Sequence, residues 1–234
     1  MTLNEMIYHR KSCRSFTGKP VDAEMIEKIL SFELKPLYPE IKVRMDIVPR
    51  NQVKCICPWT TPQLITIYSE DTAGYLENIG FLFQQMDLFL QTLGLGVCWL
   101  GMGRMNPKTT TEVEGMTFVI MLAFGYPKGD QLRHDLKGFK RKSMEQITDT
   151  ADPRLEPARL APSSVNSQPW YFTHEGDTIH VHCISKGIAG YMNRIDIGIA
   201  LAHLCVANAE TFRFFKADNA PEVSGYGYIG SCMI

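Results

Sequence analysis

The sequence predicts an α+β chain made of two related halves, and three observations carry that prediction. Short segments alternate apolar and polar residues with period two, two long apolar helices each follow such a segment, and the layout of the first half returns in the second. The halves divide as residues 1–143 and 144–234. With 45% apolar residues the chain can bury a substantial core, and 234 residues suit one large domain or two small ones.

Residues 2–13 and 22–34 have helical character. Asp22 in "PVDAEMIEKIL" suits an N-cap, and Met25, Ile26, Ile29 and Leu30 form the apolar stripe behind it. "IKVRMDIVP" (41–49) and "QLITIYSE" (63–70) alternate as strands do. From Tyr75 to Leu93 the apolar residues follow the helical period, with Glu77, Gln84, Gln85, Asp87 and Gln91 filling much of the remainder. "GLG" (94–96) ends this helix in the manner of a C-cap glycine. "TFVIMLAFGYP" (117–127) is a central strand stopped by Gly125 and Pro127, and the basic connector "KGFKRKS" (137–143) follows. The second half offers a strand at 178–185 and a buried helix at 194–210.

The two helices can be laid over each other with Gly80 opposite Gly198 and Ile79 opposite Ile197. Two readings stay open: any two strand–helix units look alike, or the chain carries a diverged internal duplication.

A net charge of −1 gives no reason to expect nucleic acid or an anionic membrane as partner. The longest apolar run, "FVIMLAF" (118–124), is too short to span a bilayer, and the N-terminus has no apolar h-region. Seven scattered cysteines fit a reducing compartment, so a cytoplasmic location is expected.

Three stretches could carry chemistry. In "HRKSCRSF" (9–16), Arg10, Lys11 and Arg14 surround Ser12, a grouping that binds phosphate oxygens; a basic surface turn is the plain alternative. "LGLGVCWLGMG" (93–103) has four glycines in eleven residues, which let backbone approach a ligand or simply form a turn. It lacks a strand–GxGxxG–helix context, so no Rossmann site is expected. "LAPSSVNSQPWYF" (160–172) packs small hydrogen-bonding side chains between apolar ends; alone it reads as a polar loop entering a strand.

Together these stretches resemble the nitroreductase superfamily of FMN-dependent oxidoreductases. "RKSCRSF" is similar to its Arg-Arg-Ser-x-Arg-x-Phe motif, with Lys11 at the second basic position. "APSSVNSQPW" matches its Ala-Pro-Ser-Ser-x-Asn-x-Gln-Pro-Trp segment almost residue for residue. "GLGVCWLG" resembles the loop after its central helix, and "FGYP" with "KRKSMEQI" its carboxyl-terminal close. The order departs from most of the family, since the Ala-Pro-Ser-Ser segment comes after the central helix, as in a subgroup that carries it in an added C-terminal half.

The resemblance implies a nitroreductase-like antiparallel or mixed sheet with surrounding helices, the two halves forming a pseudo-dimer that mimics the usual homodimer. The oligomeric alternatives are therefore a monomer or a homodimer. It implies FMN as cofactor and NADH or NADPH as electron donor. Arg10, Ser12 and Arg141, with Lys11 beside them, would serve the phosphate, and Arg14 the pyrimidine edge. Pro162, Ser163, Ser164 and Asn166 would line the ring and ribityl chain, and the amides at Leu100 and Gly101 would face N5 and O4. Gln168 belongs to the same segment, although it and Trp170 have a more structural character.

No side chain is expected as nucleophile or metal ligand, because the flavin carries the chemistry. Cys55 and Cys57 lack a second pair for zinc, and His174, His180 and His182 lack a convincing carboxylate or cysteine. His203 reads as a hydrogen-bonded core histidine.

The expected activity is ping-pong hydride transfer through flavin N5 to an electron-poor small molecule such as a nitroaromatic or quinone. The alternatives are a flavin-binding protein without turnover, for storage or sensing, and a superfamily member with other flavin chemistry.

Overall fold

The computed structural model describes residues 1–55, 61–108, 113, 115–184, 187 and 189–234. Cys57 and the last residue of the strand expected at 178–185 lie outside the described residues. The chain divides into two compact units: Met1–Tyr75 with Met86–Asp135, and Leu76–Gln85 with Leu136–Ile234.

In the first unit, α1 (Leu3–Ile7) opens on a Thr2–Glu5 capping box and is shorter than the residues 2–13 expected. The chain beyond it is drawn into other bonds. Cys13 N donates to Val97 O at 2.8 Å, Thr17 N to Tyr126 O at 2.9 Å, and Lys128 N to Ser15 O at 2.9 Å. A backbone laced to two flanking segments cannot also satisfy a helical ladder. Helix α2 (Ala23–Leu30) is capped by Asp22, whose carboxylate accepts from Met25 N at 3.0 Å.

Four antiparallel strands form the first sheet: β1 (Val43–Pro49), β3 (Gln63–Ser69), β6 (Thr117–Gly125) and β4 (Gly96–Leu100), in the order β1-β3-β6-β4. Strand β6 is interior, as its nearly unbroken apolar run requires, and Val119 to Phe124 are all buried. A short pair, β2 (Val53–Lys54) and β5 (Arg104–Met105), stands beside it in sequence. The glycine-rich stretch expected as a loop is instead strand β4, paired along its length with β6. Its glycine is demanded by packing: a Cβ on Gly96 would lie 2.5 Å from Cys13 Sγ.

Helix α3 (Tyr75–Thr92) places residues 76–85 in the second unit and the rest in the first. It ends on a Schellman arrangement at Gly94, with φ +78°: Gly94 N donates to Gln91 O at 3.1 Å and Leu95 N to Leu90 O at 3.0 Å.

The second unit holds α4 (Glu156–Leu160), α5 (Gly190–Ala207) and a second antiparallel sheet. Its strands are β7 (Trp170–Glu175), β8 (Thr178–Cys183), β9 (Arg213–Phe215) and β10 (Gly227–Met233), in the order β7-β8-β10-β9. Helix α5 starts four residues ahead of the expected 194. Within this unit the α3 segment crosses α5 at Gly80 and Gly198. A Cβ on Gly80 would sit 2.0 Å from Ile195 O, and one on Gly198 would sit 2.1 Å from Glu77 O. Each obstructing carbonyl belongs to the residue three before the opposing glycine. Arg194 ties the same pair of helices, with Nε donating to Glu77 Oε1 at 2.7 Å. His203 is buried and bonded to Pro157 O at 2.9 Å and Gln84 Nε2 at 3.0 Å, as a core histidine should be.

Both sheets run first, second, fourth, third in chain order, with the long helix after the second strand in each.

Candidate functional site

In the first unit the basic stretch is spread along β4. Ser12 bridges Val97 in parallel, so Lys11, Ser12 and Cys13 follow the strand edge. Arg10 turns inward: it is 1% exposed, and its Nε and Nη2 each reach an Asp87 carboxylate oxygen at 3.0 Å. Asp87 also accepts from Gln91 Nε2 at 2.8 Å, and Gln91 Oε1 accepts from Lys11 N at 3.1 Å. Two positions of one helix therefore fix the stretch, which sets Arg10 apart from its expected role. Its guanidinium is spent chiefly on a buried ion pair, with a long 3.5 Å bond from Nη2 to Ser12 Oγ.

Lys11 and Arg14 are exposed, and neither side chain has an ion-pair or hydrogen-bond partner among the described residues. Arg133 adds a third guanidinium to this neighbourhood. It donates from Nη1 to Arg10 O, and its own N donates to His9 O at 2.7 Å. Burial pulls its pKa down to about 10, and the charges of Arg10 and Arg14 push the same way. A cation depressed by neighbouring positive charge marks a place where an anion is favoured. Nothing around Arg133 in the sequence signals this role, since it stands in an ordinary polar run. Beyond β4, Leu100 is buried while Gly101 and Met102 turn out to solvent. Burial raises the Cys98 thiol to about 11, so it is no nucleophile.

In the second unit, residues 160–170 form a strained polar turn. Val165, Asn166 and Gln168 all have positive φ, at +46°, +59° and +48°. For a β-branched valine this is an outlier, and its side chain is 96% exposed. The turn is held from three sides. Ser164 N donates to both Asp196 carboxylate oxygens at 3.0 Å, Gln168 N to Ser163 Oγ at 2.9 Å, and Lys142 N to Gln168 Oε1 at 2.7 Å. Arg141 is likewise spent on the chain, donating to Asn166 Oδ1 at 2.5 Å, Phe139 O at 2.8 Å and Leu160 O at 3.2 Å. Pro162 and Gln168 are buried, Ser163 and Ser164 half-buried, and Asn166 exposed.

Asp196 is buried, and that burial lifts its pKa to about 7 against the opposing pull of the Ser164 amide. Sequence reading passed over it because an aspartate inside an apolar helix carries no motif. Trp170 is fully buried with its Nε1–H lacking a partner among the described residues.

The three histidines considered for metal go separate ways. His174 bonds Asp149 at 2.8 Å, His180 bonds Ser231 Oγ at 2.8 Å, and His182 bonds Thr173 Oγ1 at 3.0 Å. Among the described residues no group of three or more His, Cys, Asp or Glu side chains could hold a metal ion. No helix among the described residues is long and apolar enough to cross a membrane.

The family described as "Putative TM nitroreductase" matches residues 2–208. A putative nitroreductase from Thermotoga maritima shares the fold at a TM-score of 0.68 and 20% identity, over 100% of this chain and 94% of that one. A nitroreductase family protein from Clostridium difficile 630 aligns at a TM-score of 0.51 and 17% identity, over 62% of this chain and 96% of that one. An FMN-dependent nitroreductase from Clostridium difficile R20291 aligns at 0.45 and 17%, over 60% and 98%. No curated protein matches the chain.

Proposed function

The chain belongs to the putative TM nitroreductase family, and on that premise we propose that it is an FMN-dependent NAD(P)H oxidoreductase acting on an electron-poor small molecule. The observation that carries the reading is the pair of unpartnered cations, Lys11 and Arg14, held beside β4 with Ser12 between them. A dianionic phosphate needs such a donor set.

The residues present fit the cofactor by their chemistry. Lys11, Ser12 and Arg14 suit the phosphate and the pyrimidine edge, with Arg133 adding positive potential from behind. Arg10 braces the stretch that carries Lys11, Ser12 and Arg14, and Arg141 braces the turn at Asn166. Pro162, Ser163, Ser164 and Asn166 offer the small neutral groups that a ribityl chain and a ring edge accept, and the amides at Leu100 and Gly101 remain the proposed partners of the ring's polar edge. Gln168 stiffens that turn by bonding Lys142 and Ser163. FMN, when bound, would supply the redox chemistry that links NADH or NADPH to the acceptor.

Titrating the flavin-free chain with FMN, and then with NADH or NADPH under anaerobic conditions, tests this. Saturable binding followed by bleaching of the flavin's visible absorbance is expected. A bound flavin that neither donor bleaches would instead make this a non-turnover flavin binder. Arg14→Ala should weaken FMN binding about tenfold or more, the loss of one charge-assisted contact. Because Arg14 is exposed, its unfolding midpoint should not move.

A further inference from the structure

The second sheet has two unlike sides. Along β8, Ile179, Val181 and Cys183 alternate with His180 and His182. The apolar set is fully buried, and Cys183 Sγ donates to Asn193 O of α5 at 3.3 Å. The opposite side carries His180 and His182 beside Thr173 and Tyr171 of β7 and Tyr228 and Ser231 of β10. Both histidines are 1% exposed, so this polar side is also covered. A covered polar face must satisfy its donors and acceptors internally or with something bound.

Most of them are satisfied. His180 bonds Ser231 Oγ at 2.8 Å and Glu175 Oε2 at 3.3 Å. Tyr228 Oη bonds Ser231 Oγ at 2.7 Å and accepts from Ala217 N at 2.8 Å. Two groups beside the segment 217–224 are not. His182 uses Nε2 on Thr173 Oγ1, leaving Nδ1 without a partner among the described residues, and the Tyr226 hydroxyl has none either. Both residues line a cavity of about 690 Å³ between the sheet and the segment 217–224. The rings of Tyr226 and Tyr228 and the side chain of Pro221 give it flat apolar walls, and Asp218 and Glu222 stand on its exposed side. Neither carboxylate has an ion-pair partner among the described residues. The nearby Lys216 ammonium does not line the cavity. It donates to Ile229 O and lies over the Phe214 and Tyr228 rings at 6.0 and 5.7 Å.

We propose that this cavity is a second binding site, separate from the candidate flavin residues, for a flat aromatic molecule carrying a protonated nitrogen. Its volume falls in the range of ligand pockets. Tyrosine faces favour aromatic rings and cations alike. Burial, with the His180 charge acting the same way, holds the His182 pKa near 4, so its imidazole is neutral and can accept. If Nε2–H is given to Thr173, the Nδ1 lone pair faces the ligand. Asp218 and Glu222 attract a cation and repel phosphates and carboxylates, so the nucleotide chemistry of the flavin site is excluded here.

Three probes of one shape and different charge test the proposal: benzamidine (cation), benzamide (neutral) and benzoate (anion). Calorimetric titration of the full chain should show benzamidine binding about tenfold more tightly than benzamide, with benzoate weakest. The Asp218→Asn/Glu222→Gln double variant should bring benzamidine and benzamide level, and Tyr226→Ala should weaken both. Saturating FMN should leave the benzamidine affinity unchanged. Equal affinities for the three probes, failure of all three to bind, indifference to both variants, or displacement by FMN would each overturn it.

Discussion

The two units fasten their polar segments in opposite ways. In the first, the stretch from Arg10 to Arg14 is anchored by a complete buried ion pair, Arg10 with Asp87, in which both charges are matched. In the second, the turn at residues 163–168 is anchored by Asp196, a buried carboxylate that receives a backbone amide instead of a cation. Burial lifts the Asp196 pKa to about 7, and the single Ser164 amide pulls against that rise without cancelling it. The second anchor should therefore respond to pH below neutrality.

The largest expected effect breaks the first anchor. Asp87→Ala strands a buried guanidinium, so urea denaturation should show a loss of about 3–5 kcal/mol. The double variant Arg10→Met/Asp87→Leu should recover most of it, because no charge is then left unmatched. Full loss in the double variant would mean that the pair fixes geometry the apolar residues cannot replace.

Next comes the helix crossing. Gly198→Ala puts a methyl group against Glu77 O, and about 2–3 kcal/mol should be lost, by the same measurement. Adding Gly80→Ala should cost less than the sum of the two, since one crossing relaxes for both.

A third test separates the anchors by pH. The folded pKa of Asp196 is raised above its ordinary 3.8, so its contribution is fully present below about pH 4 and is lost as pH rises toward 7. His182 acts oppositely: its pKa falls from 6.5 to about 4, so stability is lost as pH drops through that window. Asp196→Asn should remove the loss on the alkaline side, leaving a stability profile that rises from pH 4 to 6.5. An unchanged profile would show that the second anchor is as inert as the first.

The sequence made the framework legible wherever the signal was local. Period-two alternation found β1 and β3, the unbroken apolar run found β6, the helical period found α3, and Asp22 and Gly94 marked the ends of helices. The family resemblance rested on contiguous motifs and was equally readable. Long-range pairings were not. Arg10 looked like a phosphate ligand because its partner lies 77 positions away. The stretch at Gly96 looked like a loop because its glycine serves Cys13 rather than a turn. The left-handed valine at 165 and the cavity beside His182 have no one-dimensional signature, since each depends on what another segment covers.

The crossing of α3 and α5 has a consequence for motion. Where each backbone rests on a glycine of the other, a slide of even one residue would drive a Cβ into a carbonyl. The two helices can swivel about that point, but they cannot ratchet past each other. Sliding of one of these helix segments along the other is therefore blocked at a single fixed bearing.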